Sequence, residues 1–431
     1  MDRLEGLHRA DAAIVGGGLT GLLLASALSQ AGMQVAVVEA RERNCDEPAR
    51  AASLLRAAPL MRAAAAYGTS IVKQYAAGLQ SQLHSLLAAP LPYVREIPVY
   101  AYAFHDELPI LEHQYELLFA LQLPVSIAQD AGGCPFPVEL SLTAQGVLID
   151  IQRWKDALYA AILRRGGRIY HSSRVIAVDS GRICTQQGCL DAPQIILTTG
   201  KPLGLRQSPL LALLESRLLA RCDLSGEFPV HSCQQSLCNE GLDILPTPLG
   251  LSASWDAGRL GMPSQQTRLT AFEKALHRLL PDWTRGHNRY TQTVHSLDGL
   301  PLIGPLPDSQ TLCIAGTDGC GVLGAMHAAD AAARRILGHP LPEDTLFLPG
   351  RVIPKAVLRP LLRRHRRIYV RNSLRRNAPS CSNCACKMRY STAVESWECP
   401  CCGASYAMLG QAISAPAMHS AQVSVRQRPD I

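Results

Sequence analysis

Short apolar runs that break into glycine set the rhythm of this chain. Residues 12–15 are Ala-Ala-Ile-Val and run straight into Gly16-Gly17-Gly18. An apolar run without polar alternation, bounded by a glycine turn, predicts a strand buried on both faces of a parallel sheet. Small residues over 19–31 predict a helix, and the apolar run over 34–38, closed by Glu39, a second strand. The pattern returns late in the chain. Residues 195–200, Ile-Ile-Leu-Thr-Thr-Gly, predict a strand that rejoins the first sheet. Residues 312–316 predict another, followed by a turn over 318–321 and a helix over 322–337.

The intervening segments read differently. Residues 49–87 are rich in Ala and Leu and predict helices, which interrupts the nucleotide-type βα repeat. Residues 93–102 are extended and aromatic, 112–121 helical, and Gly132-Gly133-Cys134-Pro135 a turn. An amphipathic helix over 154–165 closes on Gly166-Gly167, and 168–178, 182–185 and 194–197 alternate as strands. Residues 203–290 are mixed, with a helix over 269–280 that Pro281 stops. There is no internal repeat and no low-complexity tract.

With 431 residues, 47% of them hydrophobic, the chain has material for two or three domains and a substantial core. Residues 1–10 include Asp2, Glu5 and Arg9 and lack an apolar secretory core, so a cytoplasmic location is expected. No apolar run reaches the roughly eighteen residues of a membrane span. In that compartment fifteen cysteines point to thiols and metal ligands rather than a broad disulfide framework. The net charge of +7 is concentrated in the Arg-rich stretch from 351 to 376. Interleaved Leu358, Leu361, Leu362, Ile368 and Val370 favour a structured linker with a solvated basic face over a nucleic-acid site, so no nucleic acid is expected. An acidic electron-transfer protein is the partner such a face would suit.

Gly16, Gly18 and Gly21 give a G-x-G-x-x-G spacing between a strand and a helix, the context in which that pattern signals a dinucleotide. The first glycine allows the tight turn, the second admits the pyrophosphate, and the third lets helix pack on strand. Glu39 stands where a ribose hydroxyl would donate to it. A helix start at 319–322 would bring N–H donors to the electron-rich edge of a reduced flavin. An ordinary βα turn is the alternative at both places.

These units, together with residues 295–305 (His-Ser-Leu-Asp-Gly-Leu-Pro-Leu-Ile-Gly-Pro) and the turn over 316–324, resemble FAD-dependent oxidoreductases of the D-amino-acid oxidase and glycine oxidase superfamily over about 11–351. More narrowly, the chain resembles the bacterial branch that carries a C-terminal Rieske domain. The resemblance implies FAD, and a small amine or amino-acid-like substrate oxidised by hydride transfer. The cofactor set it implies is Gly16, Gly18, Leu19, Thr20, Gly21, Glu39, Ala40, Arg50, Val175, Thr199, Gly200, Gly319, Gly321 and Val322. His295 and Asp298 are the candidates for orienting substrate or tuning the flavin, with a loop hydrogen bond as the plainer reading. Three stretches depart from the branch: Arg50-Ala51-Ala52-Ser53 lacks two hydroxyls, Tyr290, Thr293 and Val294 replace Trp, Gln and Asp, and 319–323 reads Gly-Cys-Gly-Val-Leu. These changes bear on turnover more than on cofactor binding, because the phosphate cradle is backbone.

Near the C-terminus, Cys381, Cys384, Cys399 and Cys402 form two C-x-x-C pairs at the spacing of a ribbon-type Zn site. The same loops resemble a Rieske domain whose two histidines are replaced by Asn383 and Cys402. That resemblance makes Cys386 and Cys401 the counterparts of a disulfide seen in many Rieske domains. Loss of both imidazoles removes the tuning of a Rieske centre, which leaves Zn, a low-potential [2Fe-2S] cluster on four thiolates that would take electrons from the flavin, or a module without metal. His231, Cys233 and Cys238 lack a fourth ligand.

The expected architecture is α/β: a Rossmann-like FAD-binding domain (1–90, 146–202, 295–350) interleaved with a mixed α+β substrate domain (91–145, 203–294). A basic linker (351–378) then leads to a small all-β Rieske-like or zinc-ribbon-like domain (379–431). The alternative to an active oxidoreductase is a flavin-binding protein of low turnover whose zinc site serves partner docking.

Overall fold

The computed structural model describes residues 3–43, 49–204, 210–226, 231–237, 241–248, 250–307, 309–375, 377–424 and 427. At its centre lies a six-stranded sheet in the order Leu302–Pro305, Leu312–Ala315, Gln194–Gly200, Ala12–Val15, Val35–Val38, Arg168–Tyr170. Ala12–Val15 pairs in parallel with strands on both sides, and Ala12, Ala13 and Ile14 are fully buried. The apolar run is therefore a central parallel strand covered on both faces. Helices Leu19–Gln30, Ile151–Arg164 and Gly321–Ile336 pack together over one face.

A nine-stranded sheet forms the second body. Its main path runs Thr284–Ser296, Leu214–Ser225, Gly250–Arg259, Asp243–Thr247, Cys233–Ser236, Val94–Ala103, Leu140–Ile149, Arg50–Ser53, and Ser126–Ala128 pairs with Leu140–Ile149. A four-stranded sheet of Gly6–Arg9, Gly188–Asp191, Arg182–Cys184 and Ala177–Asp179 flanks the first. The helix Lys355–Ser373 leads to a three-stranded sheet of Arg389–Ser391, Ser396–Glu398 and Ser405–Tyr406, with its own core around Met388, Trp397 and Tyr406. Trp154 and Trp255 are core residues.

Two sequence readings need correction. Residues 49–87 are not helical throughout: Arg50–Ser53 is a strand, antiparallel to Leu140–Ile149 with Arg50 opposite Ile149. Alanine has little strand preference, and the exposed ladder of the neighbouring strand overrides it. The run over 168–178 is also broken. Arg168–Tyr170 joins the six-stranded sheet and Ala177–Asp179 the four-stranded one, because Ser172 adopts φ 49° and Ser172 and Ser173 donate to the Arg41 and Glu39 carbonyls. The border placed between 294 and 295 falls within the strand Thr284–Ser296. One disulfide, Cys184–Cys189, joins adjacent strands, and the other cysteines among the described residues are free.

His327 lies in the helix Gly321–Ile336 between the rings of Tyr75 and Phe347. Burial, aided by the Arg334 charge, holds its pKa down at about 4. A folded value below the unfolded one means that protons favour the unfolded chain as pH falls. Stability is therefore full above the unfolded pKa, and about 2 kcal/mol is lost between pH 7 and pH 5. Urea midpoints of wild type and His327→Gln at the two pH values check this. The loss is expected to be smaller in the variant by that amount.

Candidate cofactor cleft and metal centre

The strand Ala12–Val15 ends in Gly16, whose φ of 116° belongs to glycine alone at little cost. A Cβ on Gly21 would lie 2.1 Å from the Gly16 carbonyl oxygen, so helix and turn touch through main chain. A Cβ on Gly18 would meet no protein atom within 4 Å. Gly18 also caps the helix Leu19–Gln30 without a side-chain hydrogen bond, so the first N–H groups face open space. That combination fits a pyrophosphate, which needs close main-chain approach and unsatisfied donors. Thr198 Oγ1 braces the turn, 3.0 and 2.9 Å from the Val15 and Gly16 carbonyls. Glu39 accepts from the Gly17 N–H at 2.6 Å and the Arg41 N–H at 2.9 Å. A carboxylate has lone pairs left for ribose hydroxyls.

The turn opens into a cavity of about 760 Å³. Among the residues expected at the cofactor, Gly16, Gly18, Leu19, Thr20, Glu39, Ala40, Arg50, Val175, Thr199, Gly200, Gly321 and Val322 line it. Gly21 is buried beneath the turn, and Gly319 packs on Pro59.

The opposite wall was not foreseen. Arg221 and Arg289 face each other directly on the paired strands Leu214–Ser225 and Thr284–Ser296, and both line the cavity, as do Tyr290 and Gln292. Like charges directly opposite on a sheet destabilise it unless something offsets them. Asp223 pairs with Arg289. Arg221 is 8% exposed and donates to the Ala49 carbonyl at 3.2 Å, with no carboxylate at ion-pair distance among the described residues. Burial, reinforced by the charges of Arg50 and Arg289, pushes its pKa down to about 10. The sequence signal was a lone Arg within Leu218-Leu219-Ala220-Arg221-Cys222.

His295 and Asp298 stand behind this wall and do not line the cavity. His295 Nε2 lies 3.0 Å from Thr293 Oγ1, and burial lowers its pKa against the opposing pull of Asp318. Asp298, 1% exposed, accepts from Tyr67 Oη at 2.6 Å and from Arg351 Nη2 at 2.7 Å. Burial, then the Asp298 charge, raises the Tyr67 phenol to about 12.

Each of Cys381, Cys384, Cys399 and Cys402 presents its Sγ within 4.8 Å of the other three, and all four residues are buried. The Cys381–Cys402 and Cys384–Cys399 separations are 3.6 and 3.4 Å. The residue after each C-x-x-C pair, Ala385 or Gly403, has a positive φ that turns the chain around the sulfurs. Cys386 and Cys401 are free thiols, and Asn383 is buried with Nδ2 unpartnered. Like-charged thiolates packed this closely cannot all ionise without a cation among them. His231 is exposed, Cys233 is buried, and Cys238 lies outside the described residues.

This module sits on the cleft. Ser396, Glu398, Ser405, Ile413, Ser414, Ala415 and Ala417 line the same cavity as Gly16. The basic helix is anchored by Arg364, 2.8 Å from the buried Glu215. No helix among the described residues is long and apolar enough to cross a membrane.

The family model described as FAD dependent oxidoreductase (DAO) matches residues 11–335 and stops before the four-cysteine centre. No curated protein matches the chain. Among solved structures, the fold is shared with glycine oxidase from Geobacillus kaustophilus (16% identity, 80% of this chain and 100% of that one, TM-score 0.61). It is shared also with L-amino acid deaminase from Proteus vulgaris (14%, 82% and 100%, TM-score 0.59). A third is iminodiacetate oxidase from Chelativorans sp. BNC1 (15%, 77% and 96%, TM-score 0.57).

Proposed function

The chain belongs to the DAO family of FAD dependent oxidoreductases, and from that premise we propose that it oxidises a small amine carrying an acidic group, an amino acid or close relative, in the cleft between its two large sheets. The observation that carries this is Arg221, a buried guanidinium without a carboxylate partner on the wall facing the glycine turn. Such a group favours a planar anion that accepts two parallel hydrogen bonds. Bound at Gly16, Gly18 and the helix Leu19–Gln30, FAD supplies a two-electron acceptor for hydride from the carbon bearing the amine. The cofactor residues lining the cavity form its seat. Solved relatives named for glycine, iminodiacetate and L-amino acids agree with this substrate class.

In this reading His295 and Asp298 are positioning residues. They fix the strand end and loop behind Val294 and Asp318, and do not touch substrate. The division into interleaved flavin and substrate domains, basic linker and cysteine module remains part of the proposal, with Arg50–Ser53 serving the substrate sheet. So does a cytoplasmic setting. The module is read as a Rieske-derived fold rebuilt around four thiolates. Sulfurs this close together favour one ion over a two-iron cluster, so no electron path to a partner is assigned through it.

Anaerobic mixing with a panel of amino acids, N-substituted glycines and simple amines tests the reading by bleaching of the flavin band. Arg221→Met is expected to raise KM for the acidic substrate roughly 100-fold, as loss of a charge-assisted pair of hydrogen bonds implies. Bleaching by an amine lacking any acid group should be unchanged. Equal losses for both would sink the assignment of Arg221, and no bleaching by any of the panel would sink the substrate class.

A further inference from the structure

The second cysteine loop has two faces. The Cys399 and Cys402 sulfurs turn toward the four-thiolate centre, while carbonyls of the loop turn toward the body and are held there by side chains. Lys201 Nζ donates to the Cys402 carbonyl at 2.8 Å. Arg259 donates to Pro400 at 3.0 Å and to Cys401 at 3.1 Å. Gln292 donates to Gly403 at 3.1 Å. A Cβ on Gly403 would lie 2.2 Å from Ser216 Oγ, so the loop is pressed onto the substrate sheet. From the other side, Glu398 accepts the Gly261 N–H at 2.9 Å.

The gripping residues lie at or next to the cofactor cleft, Arg259 beside the lining residue Leu260. Lys201 follows Gly200, Gln292 lines the cavity, and Ser396, Glu398 and Ser405, which flank the loop, form its far wall. Arg174, another lining residue, donates to the Ile413 carbonyl at 2.8 Å, where the tail completes that wall. One short loop is thus shared between a thiolate cage and the lid of the cleft.

The cage is sized for a single ion. Tetrahedral zinc with bonds of about 2.3 Å sets its sulfurs about 3.8 Å apart. The Cys381–Cys402 and Cys384–Cys399 separations are 3.6 and 3.4 Å, and no pair among the four exceeds 4.8 Å. A two-iron core would place two irons and two sulfides between opposite thiolate pairs and spread them.

We propose that the four-cysteine centre takes one tetrahedral divalent ion, zinc by its all-thiolate chemistry, and that this ion latches the C-terminal module as a lid over the flavin cleft, so that metal occupancy governs flavin retention. The proposal rests on the reading of the cleft as an FAD site. Small metal modules owe much of their folding free energy to the ion. Without it, four buried thiols have nothing to set the loop, and the carbonyls gripped by Lys201, Arg259 and Gln292 are lost. Coupling of this kind is reciprocal: bound flavin must tighten metal binding by the factor that metal tightens flavin.

The test uses the yellow protein as isolated. Metal and acid-labile sulfide are counted first, with one zinc per chain and no sulfide expected. Zinc is then withdrawn with a chelator under reducing conditions, and flavin release is followed by its fluorescence. Binding of FAD is expected to weaken at least tenfold, with the far-ultraviolet dichroism of the body retained and zinc restoring affinity. Arg259→Met, which keeps all four thiols, is expected to retain zinc yet weaken flavin in the same direction. Unchanged flavin affinity after zinc loss would overturn the latch, as would two irons with sulfide. Protein that is colourless and takes up no added FAD would sink the flavin reading itself, a result distinct from yellow protein indifferent to its metal.

Discussion

Gly21→Ala leaves the chain colourless. The added carbon would stand 2.1 Å from the Gly16 carbonyl oxygen and 2.7 Å from Thr198 Oγ1, and the first of these is main chain that cannot rotate away. Helix Leu19–Gln30 must therefore lift from the sheet, carrying its free N–H groups away from the seat of the pyrophosphate. Overpacking of a tight contact costs about 1–3 kcal/mol of stability. The loss of FAD affinity is expected to exceed 100-fold, because several donors move together. Gly18→Ala is the informative contrast. Its added carbon meets no protein atom, so that variant should unfold at the wild-type urea midpoint and still bind FAD poorly, the methyl occupying phosphate space. Titration with FAD by flavin fluorescence, alongside urea unfolding of the apoproteins, separates the two effects. A Gly21→Ala chain that bound FAD like wild type would remove the turn as the phosphate seat.

The second large effect concerns stability. Arg351→Met strands Asp298, which is 1% exposed and receives 2.9 and 2.7 Å contacts from the Arg351 guanidinium. Arg351 also donates to the carbonyls of Leu300 and Pro301, so the loop after the strand Thr284–Ser296 loses its clamp. Removing one partner of a buried pair leaves an uncompensated charge, at a cost of about 3–5 kcal/mol. Adding Asp298→Asn should recover a good part of that, since a neutral amide needs no counter-charge. By comparison, the exposed pair Arg153–Asp150 should be worth under about 1 kcal/mol. If Arg351→Met unfolded at the wild-type denaturant concentration, Asp298 would not depend on this partner.

The glycine turn was legible because its cause is local: three glycines at fixed spacing, an apolar strand before and a small-residue helix after. The return strand over 195–200 was legible for the same reason. Arg50–Ser53 was not, since its ladder is offered by residues almost a hundred positions away and Ala-Ala says nothing of it. Arg221 was hidden differently. Its charge stood in plain view within an apolar run, but its importance depends on Arg289 arriving opposite. The cysteine spacing announced a four-thiol cluster, whereas the docking of that loop on the cleft is carried by carbonyls, which every sequence has. Likeness by position suggested His295 and Asp298 for the chemistry. Neither lines the cavity, and the proposed reading gives them a supporting part.

Residues from the 394–417 segment line the same cavity as Gly16, far from it in sequence. Cutting the chain between the two large sheets and the cysteine module would therefore take away part of the cavity wall while leaving the glycine turn intact.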